Sequence, residues 1–291
     1  MGGYAYVAPG SIDEAVAVLT EHAGQGRPAQ ILAGGTDLLV QMQSLDDSPR
    51  TIVDIKQIAE TNKLDIGASE TFIGAAIPSA VLNENSDLKA MFPGLLESAD
   101  LIGSTQIQGR ASIGGNLCNS SPAGDTIPAM IVNAGSCVIA GSAGTRELAV
   151  EDFVTGVGTN VLEDGEFLVG LKFPNPPPRT ADAYLRFIPR TEMDIAVAGA
   201  GVCLTLDETG TCTAARVAIG AVATTVLLVE AAANALVGTK VDDSALEAAA
   251  AACSEAAVPI TDKRGTVEFR KKVVGVLCKR AAAIARDRAS S

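Results

Sequence analysis

The stretch SIGGNLCNSSPAGDTIPA, residues 112–129, is the most informative segment of this 291-residue chain. It sets two adjacent glycines beside serine and asparagine, and Asp125 precedes an apolar run. Adjacent glycines let backbone N–H groups approach a ligand closely because no Cβ stands in the way. Successive N–H groups in such a turn can form a concave anion site. We predict an irregular loop from residue 103 to 122 that serves either as a plain turn or as a phosphate site.

A second glycine pair, Gly34-Gly35, lies within ILAGGTDL, residues 31–38, directly after an expected buried strand. A helix starting at Asp37 would direct its first N–H groups toward the same place as the glycines. A simple strand–turn–helix connection explains the triplet Gly-Gly-Thr as well, so both interpretations stay open at this point. Asp125 also has two interpretations, as the cap of a helix beginning at Thr126 or as a contact to a ligand.

The pattern of apolar residues predicts an α+β chain with a small α/β lobe at residues 1–55. A capping box at Ser11–Glu14 opens its helix, and two short strands follow at about 30–33 and 51–55. A second lobe, residues 56–175, should contain a hairpin and then a mixture of helices and strands. The expected elements of this lobe are strands at 64–67, 71–75, 136–140, 146–150 and 166–173 and helices at 79–83, 88–101 and 126–133.

The run Asn175-Pro176-Pro177-Pro178 is the clearest boundary, since consecutive prolines continue neither a strand nor a helix. Beyond it, residues 179–288 should form a smaller α+β domain with a three-stranded sheet. Its expected strands are 183–188, 195–205 and 214–222, and its expected helices are 227–236, 244–256 and 266–286.

Composition excludes several classes of function. A net charge of -12 without a long basic cluster argues against a nucleic-acid partner. The six cysteines form no CxxC pair and have no neighbouring histidine, so we expect no metal site. The only histidine, His22, ends the first helix, which makes a Ser-His-Asp mechanism improbable. The longest apolar stretch, 217–229, is shorter than the roughly 20 residues that span a bilayer, and we see no secretory signal, Rossmann fingerprint or P-loop.

AGGTDLL at 33–39 and the long motif at 112–129 resemble the two FAD signatures of the molybdenum hydroxylase family. In particular, they are similar to the separate FAD-binding (medium) subunit of carbon monoxide dehydrogenase-type and xanthine dehydrogenase-type enzymes. The resemblance continues in LVGLKFP at 168–174 and RTEMDIA at 190–196, so it covers essentially the whole chain. It implies a PCMH-type FAD-binding domain at 1–175 and the C-terminal domain of the FAD subunit at 179–288.

The resemblance also implies which residues hold FAD. Two runs would wrap the pyrophosphate with backbone donors, namely Ile31, Leu32, Ala33, Gly34, Gly35, Thr36, Asp37 and Leu38, and Ser112, Ile113, Gly114, Gly115 and Asn116. Asn119 and Asp125 would hold polar groups of the cofactor, and Leu168 would lie near the isoalloxazine. Arg186 stands where many relatives carry lysine, and Ile102 stands where some carry an aromatic residue.

The function implied is electron transfer rather than substrate chemistry. FAD on this chain would take electrons from two [2Fe-2S] clusters on a small partner subunit, supplied by a molybdenum cofactor on a large subunit, and pass them to an external acceptor. We expect a dimer of such heterotrimers in the cytoplasm, at the inner face of the membrane if the complex binds there. This chain itself should supply no catalytic acid or base. The alternative is a stand-alone flavin-dependent oxidase or reductase of similar fold.

Overall fold

The computed structural model describes residues 3–43 and 49–291. The chain starts with a parallel three-stranded sheet of order β1-β3-β2, packed against one helix. Its elements are β1 (Tyr4–Val7), α1 (Ile12–Gly24), β2 (Ala29–Leu32), α2 (Leu38–Gln41) and β3 (Arg50–Asp54). Ser11 caps α1 as predicted, with its hydroxyl accepting from the Glu14 amide at 3.2 Å. Strand β1 was not predicted, because its tyrosines are exposed and leave no apolar alternation to detect.

The middle of the chain forms an antiparallel five-stranded sheet of order β4-β5-β10-β6-β7, with helices packed on it. The strands are β4 (Leu64–Ile66), β5 (Glu70–Gly74), β6 (Ser136–Gly141), β7 (Gly144–Ala149) and β10 (Phe167–Pro174), with a small hairpin of β8 (Val154–Gly156) and β9 (Thr159–Asn160). The helices are α3 (Ser79–Asn83), α4 (Ser86–Met91), α5 (Pro93–Asp100), α6 (Thr105–Gln108), α7 (Ile113–Cys118) and α8 (Thr126–Val132).

Two predictions for this part of the chain were wrong. The single helix expected at 88–101 is broken at Phe92, whose φ of -132° and ψ of 58° are not helical. Pro93 causes the break, since it lacks an N–H group and disfavours helical backbone in the residue before it. The stretch expected to be irregular, residues 103–122, contains α6 and α7. The second glycine pair therefore lies in the first turn of a helix that Ser112 caps.

The C-terminal part is an antiparallel sheet of order β11-β12-β13-β14 covered by three helices. Its elements are β11 (Thr180–Phe187), β12 (Ala198–Leu206), β13 (Cys212–Gly220), β14 (Leu227–Leu228), α9 (Glu230–Leu236), α10 (Asp243–Ala256) and α11 (Val267–Ser290). The sheet thus has one short strand more than predicted, because Leu227 and Leu228 pair with β13 before the helix begins. In the described ranges, no helix combines the length and the apolarity needed to cross a membrane.

A buried carboxylate joins β11 to helix α5 across the proline run. Asp182 is 1% exposed and accepts from the amides of Gly94 and Leu95 at 2.8 and 2.9 Å, and from Asn133 Nδ2 at 2.6 Å. It therefore caps a helix that lies far away in the sequence. A Cβ on Gly94 would lie 2.7 Å from the Ala183 backbone, so only glycine permits this approach.

We predict that Asp182→Ala lowers the free energy of unfolding by about 2–4 kcal/mol, because three buried donors lose their acceptor. Urea denaturation of the purified chain measures the change. Asp87→Ala, an exposed position in the first turn of α4, serves as the control and should cost well under half as much. Equal losses in the two variants would show that Asp182 is not the link between β11 and α5.

Candidate functional site

A cavity of about 510 Å³ lies where the two glycine loops meet strand β10. Its size falls within the range of cofactor and small-molecule sites, roughly 300–1,000 Å³. The first loop, the start of α7 and the bulged part of β10 all contribute to its walls. In β10 the pairing with β6 shifts register between Leu168 and Gly170, and such bulges redirect side chains toward a site.

The structure gathers most of the predicted residues around this cavity. Those that line it are Ile31, Ala33, Gly34, Thr36, Asp37, Leu38, Ile102, Ser112, Gly114, Gly115, Asn116, Asn119 and Leu168. The predicted residues outside the lining are Leu32, Gly35, Ile113, Asp125 and Arg186. Leu32 and Ile113 are buried in the core next to the loops they anchor.

Sequence reasoning missed a second group of lining residues. They are Ala29, Gln30, Gln41, Ile55, Ala75, Ala111, Cys118, Gly158, Asn160, Leu162 and Phe167. Most of these residues belong to elements adjacent to the two motifs, so they line the cavity because those elements pack beside it. The hairpin residues Gly158 and Asn160 are different: the Gly158 amide donates to the Ser120 carbonyl at 2.9 Å, and Asn160 Nδ2 donates to Ser120 Oγ at 3.1 Å. The turn sequence GVGTN at 156–160 was the available signal for this hairpin.

The two glycine loops are in direct backbone contact. A Cβ on Gly34 would lie 2.0 Å from the Arg110 carbonyl oxygen, and a Cβ on Gly114 would lie 2.6 Å from the Ala75 carbonyl oxygen. Gly35 has φ +80°, a conformation that side-chain-bearing residues rarely adopt. Gly115 differs from these three, because a Cβ there would meet only Ser112 Oγ, at 3.1 Å. Three glycines are thus required by the fold itself, whereas a Cβ at Gly115 requires only a small shift of Ser112 Oγ.

Backbone amides are the main polar groups that the loops offer. In the described part of the chain, no acceptor pairs with the amides of residues 34–38 or with those of residues 112–114. Gly34 and residues 112–114 are buried, and buried amides normally have a partner. Two runs of free amides beside one cavity therefore indicate an acceptor-rich ligand. Among the described lining residues there is neither lysine nor arginine. An anion in this cavity would therefore be held by the backbone.

Two ionisable side chains in the lining have altered pKa values. Burial raises the pKa of Asp37, whose side chain makes no hydrogen bond to the cap of α2. Burial raises the pKa of the Cys118 thiol to about 12, so this thiol is protonated and unreactive at neutral pH. No group of three or more His, Cys, Asp or Glu side chains suited to a metal occurs in residues 3–43 and 49–291.

Asp125 does not cap α8, so the first of the two interpretations of this residue was wrong. Its own backbone is helical, with φ -61°, whereas a capping residue needs extended backbone. The Asn116 side chain takes that role and accepts from the Thr126 amide at 3.3 Å and hydroxyl at 2.7 Å. Asp125 accepts instead from Arg186 Nη1 at 2.6 Å and from the Tyr184 hydroxyl at 3.0 Å. Burial raises the pKa of Asp125 to about 6, and Arg186 and Tyr184 limit the rise.

We predict opposite behaviour for two adjacent glycines of α7. Gly114→Ala should lower the free energy of unfolding by about 1–3 kcal/mol, because its methyl group overlaps the Ala75 backbone. Gly115→Ala should change it by less than about 1 kcal/mol, because helix propensity favours alanine and only Ser112 Oγ must move. Thermal unfolding of the ligand-free variants compares them. Similar midpoints would contradict the backbone contact between α7 and residue 75.

Comparison with known proteins identifies the family of this chain. A family model described as the FAD binding domain in molybdopterin dehydrogenase matches residues 2–176, and one described as the CO dehydrogenase flavoprotein C-terminal domain matches residues 183–285. The carbon monoxide dehydrogenase medium chain of Afipia carboxidovorans is 34% identical, with 100% of this chain and 99% of that protein covered. The xanthine dehydrogenase FAD-binding subunit of Escherichia coli O157:H7 is 30% identical, with 87% of both chains covered.

Solved structures give the same result. A chain of reconstituted CO dehydrogenase from Oligotropha carboxidovorans superposes with a TM-score of 0.92 at 32% identity over 99% of both chains. A chain of quinoline 2-oxidoreductase from Pseudomonas putida 86 gives 0.89 at 26% identity, again over 99% of both chains. The α+β fold class and the predicted resemblance are confirmed. This chain belongs to the family of FAD-binding medium subunits of molybdenum hydroxylases, the carbon monoxide dehydrogenase and xanthine dehydrogenase type.

Proposed function

We propose that this chain binds one FAD in the cavity between its glycine loops and is the electron-transfer subunit of a multi-subunit molybdenum hydroxylase. The observation that carries the proposal is the pair of unsatisfied amide runs, residues 34–38 and 112–114, on the edge of one cavity. A pyrophosphate offers many acceptor oxygens and no donors, so it suits these groups. Bound flavin would supply the redox chemistry.

The other walls of the cavity suit the remaining parts of FAD. Ile55, Phe167 and Leu168 give an apolar surface against which a flat ring can pack. Asp37, which lines the cavity, carries a carboxylate that can accept a hydrogen bond from a cofactor hydroxyl. Asn119 accepts from Gln41 Nε2 at 2.9 Å, which connects α2 to the second loop. In this proposal Asp125 and Arg186 support the fold next to the site, since neither lines the cavity.

The side chains of the cavity fit electron transfer better than substrate chemistry. Asp37 is the one carboxylate among the described lining residues, and the Cys118 thiol stays protonated. His22 lies at the end of α1 and does not line the cavity. An oxidase that acts alone would need an acid or base placed next to its substrate, so these features favour a subunit that exchanges electrons only.

We infer that the electrons come from a small partner subunit with two [2Fe-2S] clusters, and that a large subunit with the molybdenum cofactor oxidises the substrate. Support comes from the relatives, which are named as medium chains or FAD subunits of dehydrogenases. A dimer of heterotrimers and an external electron acceptor complete the proposal. The six free thiols of the chain suit a cytoplasmic location, where disulfides are rare.

The flavin site is tested with Gly115→Val. We expect the wild-type chain to purify with the near-ultraviolet and blue absorption of flavin, and the variant to purify without it, because the branched side chain fills the space beside the unsatisfied amides. Gly24→Val is the matched control, since a Cβ at Gly24 meets nothing within 4 Å. Full flavin content in the Gly115 variant would place the cofactor elsewhere.

The subunit assignment is tested by purification of the tagged chain from its native host. We expect iron, molybdenum and two further polypeptides to co-purify with it, and flavin reduction by the organic substrate to occur only in this complex. The separated chain should not oxidise the substrate, because the Asp37 carboxylate is the one possible acid or base among the described lining residues and the molybdenum cofactor would be on another subunit. Turnover by the isolated chain at the rate of the complex would support the stand-alone oxidase instead.

A further inference from the structure

A lysine outside the cavity holds the first glycine loop from behind. Lys56 Nζ donates to the Ala33 carbonyl oxygen at 3.0 Å and to Asp54 Oδ1 at 2.7 Å. Lys56 does not line the cavity, although Ala33 and Gly34 do. The ammonium group therefore contacts the loop from outside the cavity.

Asp54 fixes the position of this ammonium group. It is 7% exposed, and it also accepts from the Lys56 amide at 3.0 Å and from the Tyr6 hydroxyl at 2.7 Å. Burial alone would raise the pKa of Asp54, but the hydrogen bonds from Lys56 and Tyr6 outweigh burial and leave it below its ordinary value. The carboxylate is thus ionised at neutral pH. Hydrogen bonds connect Tyr6, Asp54, Lys56 and Ala33 in series, with the Asp54–Lys56 ion pair in the middle.

The contact with Ala33 determines the direction of the next amide. In a planar trans peptide, the N–H group points opposite to the carbonyl group. Lys56 holds the Ala33 carbonyl from outside the cavity, so the Gly34 N–H of the same peptide points away from Lys56, and Gly34 itself lines the cavity. Arg110 repeats the arrangement more weakly one residue later, with Nε donating to the Gly34 carbonyl oxygen at 3.4 Å.

We propose that Lys56, oriented by Asp54, is a positioning residue that holds the amides of the first glycine loop toward the pyrophosphate of FAD. This proposal rests on the FAD site proposed above. It also explains how a chain of net charge -12 can bind a dianion in a cavity whose described lining has no lysine or arginine. Lys56 and Arg110 each donate to a carbonyl oxygen of the loop, and such a hydrogen bond polarises the peptide group whose N–H would bind the ligand.

The test is a titration of flavin-free protein with FAD. Lys56→Met should weaken FAD binding about tenfold to a hundredfold, since the loop loses a charged hydrogen bond that fixes it. Lys56→Arg should restore most of the affinity because it keeps a charged donor, and Asp54→Asn should give an intermediate loss. The control is Lys63→Met, which removes a lysine paired with an aspartate on the exposed strand β4.

Two further measurements separate positioning from general structure. Flavin-free Lys56→Met should unfold at a lower midpoint than Lys63→Met, because the buried Asp54 loses its ion-pair partner. Lys56→Arg should keep the wild-type midpoint, and Lys56→Met saturated with FAD should keep the wild-type visible spectrum. Wild-type affinity in Lys56→Met would overturn the proposal. The proposal would also be overturned if Lys56→Met and Lys56→Arg lost the same FAD affinity and both unfolded at a similarly lowered midpoint. If instead the proposed FAD site were wrong, the wild-type chain itself would bind no FAD in the titration.

Discussion

The rest of this structure depends on the close approach of two backbone segments, Gly34 on one side and Arg110-Ala111 on the other. An ideal Cβ on Gly34 would lie 2.0 Å from a carbonyl oxygen of the second segment, which no side-chain-bearing residue can tolerate. Gly114 makes a similar approach to Ala75 only a few residues further on. The Gly34 contact joins the small parallel lobe to the segment that precedes α7, and the Gly114 contact packs α7 against the end of β5. The cavity lies beside both contacts.

A site built this way consists mainly of backbone. The donors that face it are amides of short loops and of the first turn of α7, and its cations are placed behind the loops rather than in the lining. Amides cannot act as acids or bases at neutral pH, so the arrangement suits a ligand that brings its own reactivity. The same features that make the cavity suitable for a flavin explain why it lacks the side chains of a hydrolase or an independent oxidase.

The sequence alone predicted the two glycine motifs and most of the helices and strands that carry them. The capping box at Ser11, the hairpin at residues 64–74 and the strand before Gly34 all appear where local patterns predict them. The sequence did not predict helix α7, because two adjacent glycines disfavour a helix when only local preferences are considered. Packing of Gly114 against Ala75 and the cap from Ser112 outweigh that preference. The break at Phe92 could have been foreseen from Pro93.

The sequence by itself determined the family, the glycine pairs and the presence of a single histidine outside both motifs, because these depend on residue identity and spacing alone. Only the tertiary structure decided the partners of individual side chains. Asp125 binds Arg186 instead of capping α8, Asn116 caps that helix, and Asp182 caps α5 from a distant strand. Lys56 likewise reaches Ala33 only once β2 and β3 lie side by side. Such contacts join residues far apart in the chain, and no local pattern of sequence encodes which of several possible partners a polar group will meet.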